Sequence, residues 1–239
     1  MSDDSPATAS DTLDPFLSPK RGSAEVLLIR HADALPGPEE VIEGGYDVQS
    51  LSELGRKQAE ALGERLRDAG LAAVYSSPIG RARETAGYVA RAAGVEVLIE
   101  DDLREVELGH IGPDAREALT TDEITIALRK RLHEIAVIIG TTGRWSAIAG
   151  SEPSAALRAR VTGVIDRIAA RHPGGRIAAV SHGGAINAFF AAILGLELDY
   201  FFPAVNTSIS IARVKAPRHV VLALNDINHL RERALLEDG

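Results

Sequence analysis

Two histidines stand where this chain could do chemistry. His31 closes the apolar run Val26-Leu27-Leu28-Ile29-Arg30, and His182 closes Ile177-Ala178-Ala179-Val180-Ser181. A neutral imidazole nitrogen can attack phosphorus, and a second histidine can steady the oxygens of the group being transferred. Arg30 adjoins the first histidine, and Arg81 and Arg83 follow a further run ending in Ser76-Ser77-Pro78. Guanidinium groups offer paired donors matched to phosphate oxygens and stay charged at physiological pH. Beside an imidazole they also disfavour its protonated form. A departing alkoxide needs a proton, and Asp101-Asp102-Leu103-Arg104-Glu105-Val106-Glu107 supplies candidate carboxyls. Spacing alone does not choose among these carboxyls, or between the two later arginines.

The commonplace alternatives are specific. A single histidine at a strand end is more often a hydrogen-bonded structural residue; two in matching contexts argue against that. His110, His133, His172, His219 and His229 lack the context and read as surface or structural positions. A metal site built from His31, Asp33 and His182 is a rival, but close-set ligand pairs such as H-E-x-x-H are absent. No metal and no cofactor is therefore expected.

The elements that must position these residues follow from the pattern. Short apolar runs are strands buried on both faces, and ligands gather at the carboxyl ends of such strands. The first strand spans about 24–30. Ser52 caps a helix reaching Ala69, with Leu54, Ala61, Leu62, Leu66 and Ala69 inside and Gly70 closing it. Leu71–Tyr75 is a strand, after which Ser77 reads as an N-cap and Pro78 as the first helical residue. Ile79, Ala82, Ala86, Val89, Ala90 and Ala93 face the sheet. An arginine in that first turn opposes the helix dipole unless an anion compensates it. Val95–Ile99 forms a third strand, Ile124–Ile139 and Pro153–Ala170 are helical, and Ala185–Leu194 is a helix apolar enough to be buried. Thr207–Val214 and Val220–Leu224 complete the sheet. Strands alternating with helices give an α/β fold.

Composition sets the frame. The 239 residues carry a net charge of -8, are 45% hydrophobic and include no cysteine. The chain thus has material for a core, no thiol chemistry and no basic footprint for nucleic acid. No apolar run reaches the ~20 residues that span a bilayer, and the start lacks a signal-peptide pattern, so no membrane partner and a cytoplasmic location are expected. Residues 1–22 read as a disordered acidic tail, 23–239 as one catalytic domain, and 110–150, with Trp145, as an insertion over the pocket. Nothing fixes the oligomeric state, a homodimer included.

Arg30-His31 after an apolar strand resembles the opening signature of the histidine phosphatase superfamily, the phosphoglycerate mutase-like proteins. The resemblance extends through Leu51–Ala59, Ser76–Ala86, Leu103-Arg104-Glu105 with Gly109, Ser181-His182-Gly183-Gly184, and Leu224-Asn225 with His229-Leu230. It implies a three-layer sandwich: a mixed, mostly parallel central sheet with helices on both faces. It picks Arg81 over Arg83 and Glu105 over Glu107. It implies a phosphohistidine on His31, phosphate held by Arg30, Arg81, His182 and Gly183, and Glu105 as the acid, acting on a small phosphorylated substrate. Ala32, Asp33 and Ala34 depart from the signature, position 37 lacks the Asn of many members, and His110-Ile111-Gly112 replaces Trp-Glu-Gly. These departures bear on substrate and rate. The expected function is a metal-independent phosphomonoesterase. The alternatives are a phosphoglycerate mutase, and a phospholigand-binding or regulatory protein of low activity.

Overall fold

Alternation within the first apolar run sets the layers. The computed structural model describes residues 16–19, 22–34, 50–109 and 120–236. In β1 (Ala24–Arg30), Val26 and Leu28 enter one buried cluster while Leu27 and Ile29 enter another. The period of two puts successive side chains on opposite faces of a strand. β4 (Arg176–Ser181) divides likewise, Ile177 and Ala179 to one side, Ala178 and Val180 to the other. β1 pairs with β4 in parallel, Arg30 opposite Ser181. On the far side of β4 lie β2 (Leu71–Ser76) and then β3 (Val97–Ile99), also parallel. β5 (Ile209–Lys215) runs antiparallel to β1, and β6 (Arg218–Asp226) antiparallel to β5. The order β3-β2-β4-β1-β5-β6 is a mixed, mostly parallel sheet.

Helices cover both faces. α1 (Glu53–Leu66) and α2 (Gly80–Ala93) bury Leu62, Leu66, Ala86 and Val89 against one side. α3 (Thr121–Thr142), α4 (Ser154–Ala170) and α5 (Gly183–Leu194) cover the other with Ile139, Leu157, Ile165, Phe189 and Phe190. A short α6 (Asn228–Arg231) packs beside α1. None of the described helices is long and apolar enough to cross a membrane.

Several boundaries differ from those read in the sequence. α2 begins at Gly80, not at Ser77-Pro78, and has no side-chain cap; the Ser77 hydroxyl meets His182 Nε2 and accepts from Ile79 N ahead of the helix. α1 ends at Leu66, three residues before Ala69, and Gly70 takes its φ of +67° in the turn beyond. β3 keeps only Val97–Ile99 of the expected 95–99, since it is an exposed edge with one neighbour. β5 starts after Thr207, whose φ of +57° belongs to a turn rather than a strand.

α3 continues past Ile139 to Thr142 before Gly143 ends it. Trp145, expected in a loop over the pocket, is 6% exposed and belongs to the core. Residues 110–119 of the expected insertion lie outside the described residues, as do the loop positions 36–45. The end of the expected tail is not free: Leu17 is buried, Ser23 donates to its carbonyl, and Arg213 donates to Phe16.

Candidate active site

The parallel strands deliver their last residues to one edge, and backbone bonds lock those ends together. His31 N donates to Ser181 O (2.9 Å) and Ser77 N to Val180 O (2.9 Å). Across this junction the His31 and His182 rings lie 5.1 Å apart, centroid to centroid. Arg81, in the first turn of α2 and 1% exposed, reaches both: Nε donates to His31 Nε2 at 3.1 Å and Nη2 meets His182 Nδ1 at 3.4 Å. Arg83 is exposed. A helix has the same side facing inward only every three to four residues, so burying Arg81 turns Arg83 outward.

The network assigns the tautomers. His31 Nδ1 sits 2.8 Å from Ala32 O, an acceptor, so Nδ1 carries the hydrogen and Nε2 the lone pair. His182 Nδ1 faces the Arg81 donor, which leaves Nε2–H for the Ser77 hydroxyl at 2.8 Å. Burial holds the His31 imidazole well below its ordinary pKa of 6.5, and the positive charges of Arg81 and Arg30 push the same way against the Ala32 carbonyl. Burial does the same to His182, joined by His31, Arg81, Arg30 and Arg160. Both rings are neutral near pH 7.

Arg30 is fixed from one side only. Nη1 donates to Ala204 O at 2.7 Å, while Nε is buried without a hydrogen-bond partner. A Cβ placed on Gly183, the first residue of α5, would stand 3.8 Å from that Nε. A buried guanidinium N–H left open beside two imidazoles is a ready donor to an anion.

Of the acidic stretch only Glu105 turns inward. Asp102 pairs with Arg167 (2.7 Å) and Glu107 with Arg104 (2.9 Å) at the surface. The Glu105 carboxylate accepts from Val106 N (2.9 Å), Ala185 N (3.0 Å) and Gly184 N (3.2 Å), capping α5 from outside its own segment. A carboxylate there interacts favourably with the helix N-terminus. Gly184 is what admits it: a Cβ at that position would lie 2.5 Å from Glu105 Oε1 and 2.8 Å from Trp145 Cζ2.

Among the described residues, then, Arg30, His31, Arg81, Glu105, His182 and Gly183 gather at one strand edge. Asp33 does not join them; its carboxylate accepts from Ser52 Oγ and its carbonyl from Ser52 N, which ties the loop to α1. No cluster of three or more potential metal ligands occurs among the described residues. Ala32 fits without exposure, packed with Leu51 and Ala59. Positions 37 and 110–112, where the sequence departs from the family signature, lie outside the described residues.

Supporting residues escaped the sequence reading. Thr85 Oγ1 accepts from Ala32 N (3.0 Å) and donates to Arg81 O (2.7 Å), joining the two elements that carry His31 and Arg81. Asn206 Nδ2 donates to His31 O at 3.0 Å. Arg160, paired with Glu152 at 2.7 Å, donates to the carbonyls of Asp102, Arg104 and Glu105 and so fastens the Glu105 segment. Asn187 is fully buried and bonds Gly183 O, Phe202 O, Phe201 N and Phe202 N. Its signal was in view, as the only polar side chain in an otherwise apolar helix. Thr85, Asn206 and Arg160 look in sequence like any other helix or loop polar residue.

Residues 26–227 match the profile of the histidine phosphatase superfamily, branch 1. The chain is 29% identical over 232 residues to "Phosphoglycerate mutase-like protein 4" of Arabidopsis thaliana, covering 90% of this chain and 91% of that protein. It is 30% identical over 214 residues to "Phosphoserine phosphatase 1" of Hydrogenobacter thermophilus, covering 87% and 95%. Among solved structures, Bacillus stearothermophilus YhfR superposes with a TM-score of 0.67 at 28% identity, covering 87% of this chain and 99% of that one.

Proposed function

The chain belongs to the histidine phosphatase superfamily, and from that premise we propose that it is a metal-independent phosphomonoesterase working through a phosphohistidine on His31. The observation that carries this reading is the neutral His31 ring, its Nε2 lone pair facing Arg81 and its Nδ1 fixed on Ala32 O. The phosphate of a small substrate draws the Arg81 and Arg30 donors onto its oxygens, which frees Nε2 to attack phosphorus. The N–P bond forms as the P–O bond to the alcohol breaks. Glu105 gives its proton to the departing oxygen, and the carboxylate left behind rests on the amides of Val106, Gly184 and Ala185. Water then attacks phosphorus, the N–P bond breaks, and Glu105 recovers a proton from that water. His182 and the amide end of α5 at Gly183 stabilise charge on the transferring oxygens.

A mutase is the second reading, supported by the relative named as phosphoglycerate mutase-like. In that case the phosphohistidine passes its phosphoryl group back to a phosphoglycerate hydroxyl rather than to water.

Acid-quench labelling with a panel of radiolabelled phosphoesters tests the scheme. The expected result is acid-labile, base-stable label on wild type, absent from His31→Ala, with net phosphate release. Exchange on phosphoglycerate outpacing phosphate release makes the protein a mutase. Stoichiometric phosphate binding with neither label nor turnover makes it a binding protein.

A further inference from the structure

Glu105 sits on a stretch with no backbone ladder to hold it. After the turn Asp101–Leu103, residues 104–108 belong to neither helix nor strand. Side chains hold this stretch instead. Four successive carbonyls, Asp102 to Glu105, each accept a hydrogen bond from a side chain. Ser181 Oγ donates to Leu103 O at 2.7 Å. Arg160 of α4 serves the other three. Its Nη1 donates to Asp102 O (2.8 Å) and Arg104 O (3.0 Å), and its Nη2 to Glu105 O (3.3 Å).

The rest of that guanidinium faces Glu152, two residues ahead of α4. Nε donates to Oε1 (3.0 Å) and Nη2 to Oε2 (2.7 Å), a two-pronged pair. All five N–H donors of Arg160 are thereby engaged. Glu152 is fixed in turn, since its backbone N donates to Glu107 O at 2.7 Å. The Arg160 and Glu152 side chains are only 9% and 10% exposed. Taking two ions out of water offsets most of their mutual attraction, so such a pair adds little to stability. What it supplies is geometry, because a planar guanidinium aligned by Glu152 sets three carbonyls at once.

We propose that Arg160, aligned by Glu152, is the positioning residue of the general acid. It sets the backbone from which Glu105 reaches the amides of Gly184 and Ala185 and the departing oxygen. The proposal rests on the phosphatase reading above, in which Glu105 is that acid. A small displacement of a reacting group is enough to lower its rate, and here it falls on proton transfer alone. His31 and Arg81 are held by other elements and keep their places.

Arg160→Lys and Glu152→Asp test this, because both keep the buried pair charged while altering its reach. Lysine replaces the fork with one ammonium and retains the positive charge that His182 feels. For ethyl phosphate, whose alkoxide needs a proton, kcat/KM is expected to fall by about tenfold or more in each variant. For para-nitrophenyl phosphate, whose leaving group departs without one, the change is expected to stay under about threefold. In a Glu105→Gln background neither substitution lowers ethyl phosphate turnover further, since no acid is left to place. Should Arg160→Lys fail to fold, Glu152→Asp carries the same test. An equal loss on both esters, no loss on either, or a loss on ethyl phosphate that persists with Glu105→Gln overturns the proposal and leaves the phosphatase intact. No turnover and no His31 label with either ester in the wild type overturns the phosphatase reading itself.

Discussion

Arg81 donates to both imidazoles from one guanidinium, so the donors that an entering phosphate would take over are already engaged on His31 and His182. That arrangement fixes how the site responds to acid. His31 is held neutral by burial and by two arginines, and its neutral form persists below pH 6.5. The acid limb of kcat/KM is therefore expected below pH 6.5, the pKa of an ordinary histidine. A limb centred near 6.5 would mean that the His31 ring is solvated as an ordinary histidine is. At this scale residue types and spacing showed what could act, while the choice of Arg81 over Arg83 and of Glu105 over Glu107 came only from the family resemblance. Two arginines two positions apart look alike in sequence. The helix phase that buries Ala82, Ala86 and Val89 carries Arg81 inward with them and leaves Arg83 exposed.

The elements meet through close backbone approaches. Glu105 reaches the first amides of α5 only because Gly184 has no side chain in the way. Gly184→Ala is expected to push Glu105 off those amides while leaving His31 and Arg81 in place. It should lower kcat for esters of poor leaving groups by about 10²-fold or more, the usual worth of a positioned acid, and much less for aryl esters with good ones. Glu105→Gln is the benchmark, and a uniform loss across leaving groups in both variants would remove Glu105 from the acid role. Strand and helix order was legible because β1 and β4 are apolar runs with abrupt ends. The third-strand boundary was not, because an exposed edge strand of three residues has little apolar signal. Trp145 was misread for a related reason. Its segment looks like loop in sequence, yet the ring packs under α5 and beside Tyr200.

At the scale of the molecule, the C-terminal segment returns to the start of the fold. Gln58 of α1 accepts from Asp33 N and donates to Leu235 O (3.1 Å), while Arg233 pairs with Glu64. In the same segment His229 is 4% exposed and contacts Thr207 Oγ1 at 3.2 Å, and Thr207 N in turn bonds Arg30 O. Burial lowers the His229 pKa to about 4. A histidine with a depressed folded pKa adds stability that is present above its unfolded value and lost as pH falls towards the folded one. Stability is thus expected to decline from about pH 6.5 to 4, with His31 and His182 adding to the slope. His229→Gln, measured by urea unfolding at pH 6.5, 5.5 and 4.5, should flatten the decline by at most about 1.4 kcal/mol per pH unit. An unchanged slope would show that His229 protonates alike in the folded and unfolded chain. The sequence placed His229 in the closing segment of the resemblance and among the surface or structural histidines, but its burial was not legible there, because it arises from contacts between segments distant in the chain.

The strand order has a consequence for synthesis. β4 fills the place between β1 and β2, although both of those leave the ribosome long before it. Elongation at about 5–20 residues per second leaves that place open for several seconds. During this interval the growing chain presents two unpaired apolar strand edges, and its candidate active site is assembled only when Ser181 and His182 arrive to close the sheet.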